Sequence, residues 1–509
     1  MHTDPQLIDG ARDALPGLDH SLAEIVDRLR APGPRGRILD TQGRELDAAR
    51  VEHCRERLAA AGVGYRDRVL VSGGAGVLSM AWYVAAWHLG ATLVPVDPAL
   101  CEESVQRIAD DSQARARIDA SADTLALLRA PRATRFALRR PARVTGVDLA
   151  IIIYTSGSTG HPKGIMLSHA NVLSALRAIS RYLALDSEDV ILCVPPLHFD
   201  YGLYQALFAM HVGCATVLVC GAFNPASVSA AIERHRPTVL PVVPAIGHLV
   251  ARTLLAFQRP AHSVRLLTNT GGHLPLGTIA ELRRALPNAQ VMPMYGLTES
   301  KRALYMLPAE VDARPGSVGR AMPGLDARVF VAVAGEASAE TTWREAAPCE
   351  IGMLFVRGAS VMQGYVHDAN GAGARLLHGD YRDDIWLATG DLFYADEDGY
   401  LYFHGRDKDL IKQAGHCLYP REIEQRVEEH DGVAVAVVIR GSDDNGDEIA
   451  ELFVQLKPGA SMQEVQAWLD GHLERAYRPR RIHVVGQWPL TPNGKIDLAR
   501  LARPANATA

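Results

Sequence analysis

No two of the seven cysteines (Cys54, Cys101, Cys193, Cys214, Cys220, Cys349 and Cys417) are spaced as a C-x-x-C pair, and none falls into a paired Cys/His pattern. Such a chain lacks both the usual zinc-ligand spacing and a disulfide framework, and it fits a reducing cytoplasm. An excess of one charge is also missing. With 53 Lys and Arg against 58 Asp and Glu, the net charge of −5 gives no electrostatic case for a nucleic-acid or anionic-membrane partner. One stretch departs from this: residues 129–143 hold six arginines among prolines, read as a solvated basic loop, with a dock for an acidic carrier surface as the alternative. The opening "MHTDPQLIDG" has no basic n-region and no apolar core, so no secretory signal is expected. Residues 77–96 are free of Asp, Glu, Lys and Arg, but Ser79, His88, Gly90 and Pro95 interrupt them. They read as a buried helix followed by a strand, and a soluble protein is expected. Internal repeats and low-complexity tracts are missing too, and only the terminal "PANATA" reads as disordered.

What is present is enough chain for two or more domains: 509 residues, 48% hydrophobic, with 44 Gly and 29 Pro marking many turns. "RVLVSG" (68–73), "ATLVPVDP" (91–98), "LAIIIYTSG" (149–157), "DVILCVPP" (189–196) and "ATVLVCG" (215–221) read as buried strands. Helical segments lie between several of them, which predicts α/β layering with largely parallel sheets. From 350 to 406 the texture changes to shorter strands and turns, dense in Asp and Gly over 381–399. After "GRDKDLIK" (405–412) comes a smaller unit of α+β texture, so a boundary is expected near Asp407–Lys408, dividing the chain into 1–407 and 408–509.

Between the apolar run 149–154 and a helical pattern after Ser168 lies "YTSGSTGHPKG" (154–164). Its glycines let backbone N–H groups point inward, its hydroxyls add donors, and Lys163 can neutralise a phosphate oxygen, so the loop suits a polyphosphate. It is not a Walker loop. Pro162 has no N–H to donate, and Lys163 is followed by Gly164 rather than by the hydroxyl that binds magnesium, which disfavours a P-loop kinase or ATPase.

Four further stretches follow in order: "MYGLTES" (294–300), "TGDLFYADEDGYLYFHGRDKD" (389–409), "AGHCLYPREIE" (414–424) and "PLTPNGKID" (489–497). With the loop, they make the sequence resemble the ANL superfamily of adenylate-forming enzymes: acyl-CoA synthetases, adenylation domains of nonribosomal peptide synthetases, and luciferases. The resemblance runs from "HLGATLVPVDP" (88–98) to the lysine near the C-terminus. It implies a large N-terminal domain of layered α/β sheets with a β-barrel-like subdomain, and a small mobile α+β C-terminal domain. It also implies that a carboxylate attacks the α-phosphate of ATP, giving an acyl-adenylate and pyrophosphate, and that a thiol then displaces AMP. In that frame Thr155, Ser156, Gly157, Ser158, Thr159, Gly160 and Lys163 would hold the β- and γ-phosphates. Tyr295, followed by Gly296, would stack on adenine, and Gly271, Gly272 and His273 of "NTGGHL" (269–274) would line the other side of the base. Thr298 would contact the α-phosphate and Glu299 would hold Mg²⁺, while Asp391 and Arg406 would serve the ribose hydroxyls. Lys495 would bridge the carboxylate and phosphate oxygens and stabilise the developing charge. Lys408 takes the hinge position about which the C-terminal domain rotates, and Lys412 and Gly415 would face the thiol channel afterwards.

The acid is less defined. In "PPLHFDYGLYQALFAMHVG" (195–213), His198 stands as in many aryl- and acyl-CoA ligases, whereas Asp200 matches the aspartate that pairs with the ammonium group in amino-acid adenylation domains. Asp200 reads equally well as the cap of a helix starting at Tyr201. Tyr201, Tyr204, Val243 and Gly247 are further pocket candidates, and the substrate stays open between an amino acid and a fatty or aryl acid. The acceptor is expected in trans, as coenzyme A or a separate acyl or peptidyl carrier protein, because no phosphopantetheine-bearing domain follows Lys495. Adenylate formation without thioester formation is the remaining alternative.

Overall fold

The computed structural model describes residues 21–22, 24, 36–74, 76–130, 143–155, 162–333, 342–367, 375–379, 381, 384–443, 446–491 and 493–502. The fold is mixed α/β, in two compact units: 1–189 with 196–221 and 359–369, and 190–195 with 222–358 and 370–509.

In the first unit, Leu149–Thr155, Thr92–Val96, Arg68–Ser72 and Ala116–Asp119 pair in parallel. Their apolar runs are near-continuous because both faces are covered. Leu70, Val94 and Ile152 are fully buried, each contributing about 1.5–3 kcal/mol of apolar burial. Val77–His88 is a helix buried on all sides, followed by the strand Thr92–Val96, as its uncharged sequence predicts. The helix His169–Tyr182 starts at Ser168, whose hydroxyl and the Asn171 side chain cap each other's backbone N–H groups. The phosphate-loop sequence does not run straight into that helix. A strand, Lys163–Ser168, intervenes and pairs antiparallel with Leu149–Thr155, so that Thr155 lies opposite Lys163. Helical spacing after 168 gave no hint of this strand, because its apolar part, Ile165 to Leu167, is too short to carry a distinguishing period.

In the second unit, Val190–Cys193, Val239–Val242, Leu266–Asn269 and Gln290–Leu297 are parallel neighbours. Gln290–Leu297 then turns back antiparallel into Lys301–Tyr305. The path continues through Ser317–Ala321, Leu401–Arg406, Ile385–Ala395, Gly352–Gly358, Leu325–Val333 and Thr342–Glu345, all antiparallel. Within 350–406, where shorter strands are expected, Gly352–Gly358 and Leu401–Arg406 have seven and six residues but Ile385–Ala395 has 11. A single 3-10 turn, Asp407–Asp409, leads to a hairpin of Ile411–Gln413 and His416–Leu418. Beyond it, Val433–Ser442, Glu448–Leu456 and Arg481–Val484 form a separate three-stranded sheet. Its core includes Ile423 and Val427 of the helix Pro420–Glu428, and Val465 and Leu469 of the helix Met462–His472.

Candidate active site

Parallel strands deliver their C-terminal ends to one edge, and the candidate residues sit in the loops that follow such ends. In the first unit, Thr155 and Lys163 form the base of the phosphate loop, and the Lys163 ammonium lies 5.4 Å from the Tyr365 ring centroid. Ser156, Gly157, Ser158, Thr159 and Gly160 lie outside the described residues, as do residues 131–142 of the basic stretch. After Thr92–Val96 comes Asp97, whose carboxylate stands 3.8 Å from His198 Nε2, both largely buried. Asp200 is buried and is the first residue of the helix Asp200–Val212; the cap position falls on Phe199, one residue earlier than a cap at Asp200 requires. A carboxylate in the first turn is favoured by the helix dipole. Tyr201 packs edge-on against Phe199, and the buried Tyr204 donates its hydroxyl to the Val172 carbonyl.

In the second unit, the strand Gln290–Leu297 carries Tyr295, and the turn after it carries Thr298 and Glu299. Gly296 is dictated by a close approach: a Cβ there would lie 2.1 Å from the Lys301 carbonyl oxygen, at a β-bulge that re-aims the strand's end. The Tyr295 hydroxyl donates to Asp391 at 2.6 Å, and its ring meets Phe393 edge-on at 4.9 Å. Arg406 approaches the other oxygen of Asp391 at 3.3 Å, from the paired position on the adjacent strand. Burial pushes the Asp391 carboxyl above the usual range, and the Arg406 charge and Tyr295 hydroxyl pull it back. Burial, then the neighbouring Asp391 charge, pushes the Tyr295 phenol well up, so it stays a donor. Glu299 lies 3.9 Å from Arg375, whose guanidinium also donates to the Thr389 carbonyl.

Lys495 rides on a turn closed by Thr491, which donates its N–H to the Lys495 carbonyl at 2.8 Å and accepts from the Lys495 N–H through its hydroxyl. Gly494, at φ +77°, seats this turn on Ile246 and Val243; a Cβ there would fall 2.4 Å from Ile246. The lysine chain then lies along Gly271, where a Cβ would be 3.1 Å from its Cε. Gly271 itself has φ +82° and leaves its backbone bare. Gly272 is exposed beside Pro244, and Gly247 is a packing glycine, buried against Val242. In the 3-10 turn Asp407–Asp409, Lys408 is exposed and its carbonyl accepts from Arg440; Lys412 is exposed on its strand, and Gly415 makes the hairpin turn at φ +84°.

Within this unit, then, the structure joins Tyr295, Asp391 and Arg406 in one bonded group, and packs the Lys495 and Val243 side chains beside Gly271. A carboxylate presenting lone pairs beyond those used by Tyr295 and Arg406 fits a ribose diol, and bare glycine backbone fits a flat base. A single carboxylate such as Glu299, completed by phosphate oxygens and water, is an ordinary magnesium arrangement.

The sequence profile of the AMP-binding enzyme matches residues 44–366, and that of the AMP-binding enzyme C-terminal domain matches 422–495. The chain belongs to the AMP-binding enzyme family. Two curated relatives are a long-chain-fatty-acid–CoA ligase of Bacillus subtilis (strain 168), 30% identical over 70% of this chain and 61% of that protein, and a 4-coumarate–CoA ligase of Pinus taeda, 29% identical over 69% and 64%. The chain thus aligns with less than two thirds of the length of these relatives. The crystal structure of ATP-bound MatB from Rhodopseudomonas palustris superposes with a TM-score of 0.77 at 25% identity, over 94% of this chain and 98% of that one.

Reading motifs in this AMP-binding enzyme did not reveal Arg375, Phe393 or Arg440. Each acts through a contact with a residue distant in sequence: Arg375 with Glu299, Phe393 with Tyr295 and Arg440 with Lys408. The same is true of Asp97 beside His198.

Proposed function

We propose that the chain is an AMP-forming acid–thiol ligase: it condenses a small carboxylic acid with ATP, then passes the acyl group to coenzyme A. The observation that carries this reading is Lys495 lying along Gly271, in the unit that also holds the Tyr295–Asp391–Arg406 group. In the first step a carboxylate oxygen bonds to the α-phosphorus and the bond to pyrophosphate breaks. Lys495 neutralises charge shared between the incoming carboxylate and the phosphate, which would otherwise repel each other. Asp391 and Arg406 orient the ribose, Tyr295 the base, and Thr298 the α-phosphate, while Thr155 to Lys163 clasp the leaving pyrophosphate. Mg²⁺ held by Glu299 would supply further charge neutralisation on the phosphates. In the second step the thiol sulfur attacks the acyl carbonyl, AMP leaves with the bonding pair, and the thiol proton passes to solvent. Rotation about Lys408 would bring Lys412 and Gly415 toward the thiol.

The names of the relatives favour fatty or aryl acids and coenzyme A. The match of Asp200 to the ammonium-pairing aspartate of amino-acid adenylation domains favours a second reading, an amino acid whose ammonium group meets that carboxylate and whose acceptor is a carrier protein. Product analysis tests the proposal: acid- and coenzyme-dependent release of AMP and pyrophosphate is expected, whereas ADP and phosphate would refute it.

A further inference from the structure

The helix Pro420–Glu428 carries a charged cluster that none of the roles above uses. Arg421 is 8% exposed at its side chain and forks between Glu424 at 3.4 Å and Glu428 at 3.2 Å. Glu424 spends its second oxygen on the Val438 N–H, so its geometry is fixed by the C-terminal sheet. Glu428 also stands beside the imidazole of His273, with Oε2 and Nε2 4.0 Å apart. His273 belongs to the 269–274 loop whose Gly271 lines the Lys495 side chain. The loop therefore touches the C-terminal segment at two points, Lys495 and Glu428, and a third neighbour, Gly277, lies near the Lys457 ammonium.

Charge balance makes the His273 contact consequential. One guanidinium between two carboxylates leaves a buried surplus of negative charge, which is costly unless a proton or cation joins it. Burial pushes the Glu428 carboxyl up to about 7, against the pull of Arg421 and with a further push from Glu424. The His273 imidazole is held well below its usual range by burial and by Arg421.

We propose that Glu428 and His273, backed by Arg421 and Glu424, form a positioning contact that holds the C-terminal segment where Lys495 lies along Gly271, and that this contact is given up when the acyl group moves to the thiol. The proposal rests on the two-step reading above. Glu428 touches no reacting atom in it; it acts through the loop and through Lys495.

The test is Glu428→Gln and His273→Gln, singly and together, with the two half-reactions measured apart. ATP–pyrophosphate exchange should fall roughly 3- to 30-fold in kcat for Glu428→Gln with the KM for ATP unchanged, the size expected for loss of a partly buried charged contact. Thioester formation from supplied acyl-adenylate should hold steady or rise. The double variant should lose no more than the worse single one. Equal losses in both half-reactions, or additive losses, would overturn the proposal. Amide hydrogen exchange over 269–274 gives a readout that needs no substrate: it should rise in Glu428→Gln, and an unchanged rate would equally overturn it. If the parent protein catalyses no exchange with any acid, the two-step reading falls, yet the amide measurement still decides whether the contact holds the loop.

Discussion

The corner around Asp391 and the start of the helix at Asp200 each present one buried carboxylate, yet they differ in how much they commit to. Asp391 is bonded on one oxygen by Tyr295 and approached on the other by Arg406, residues held on strands of one unit. Asp200 opens a helix that is buried along most of its length, among the rings of Phe199, Tyr201, Tyr204 and Phe208. The first carboxylate has a ligand-shaped environment made of mutually fixed groups. The second is placed by its position in the first turn of a buried helix. A nucleotide demands the same hydroxyls and base whatever acid is activated, so its corner can be built rigidly, whereas an acid pocket is mostly shape and one residue can serve several substrates.

The difference can be pressed in order of expected effect. Lys495→Ala removes the charge proposed to bridge carboxylate and phosphate, so ATP–pyrophosphate exchange should drop on the order of 10²- to 10³-fold. Thioester formation from supplied adenylate should change far less, and equal losses would refute the assignment. Asp391→Asn should raise the KM for ATP roughly 10- to 100-fold, the loss of charged hydrogen bonds to the ribose, while leaving the KM for the acid in place. The ionised carboxylate is the form that accepts from the diol, and burial raises its pKa. In the parent protein, KM for ATP should therefore climb as pH falls, beginning above the usual carboxylate range, and Asp391→Asn should abolish that pH dependence. The stability sign is separate: a raised folded pKa means the native state holds its proton longer than the unfolded chain does. This term therefore favours folding at low pH and is lost as pH rises through the folded pKa.

Tyr295→Phe keeps the ring and its edge contact with Phe393 but deletes the hydroxyl on Asp391, so a smaller rise in KM for ATP, about three- to tenfold, is expected. Steady-state kinetics at varied ATP would measure it. Asp200→Ala should have the smallest effect, within about twofold on exchange, when the acid carries no amino group. A large and selective loss with an amino acid would instead make the second carboxylate a substrate contact and erase the contrast with the first.

Much of this was legible in the sequence, for reasons that differ by element. The parallel strands announced themselves because a strand covered on both faces reads as an unbroken apolar run, as in "LAIIIYT" over Leu149–Thr155. The strand Lys163–Ser168 did not, since short apolar runs carry no period that separates strand from helix. The turn holding Lys495 was legible as a turn, but its seat on Ile246 and Val243 is a long-range contact that no local pattern encodes. Motif resemblance pointed to Tyr295, Asp391 and Arg406 one by one; their joining into a bonded group is a product of strand pairing. Arg421, Glu424 and Glu428 sit at helical spacing like any solvated face, and only burial reveals them as a cluster.

The central claim, activation of a carboxylate through its adenylate, meets its most direct test in ATP–pyrophosphate exchange by the purified protein across fatty, aryl and amino acids. Exchange that depends on one class of acid and disappears in Lys495→Ala is the predicted result. Intact ATP binding with no exchange for any acid, or exchange that persists without Lys495, would contradict it.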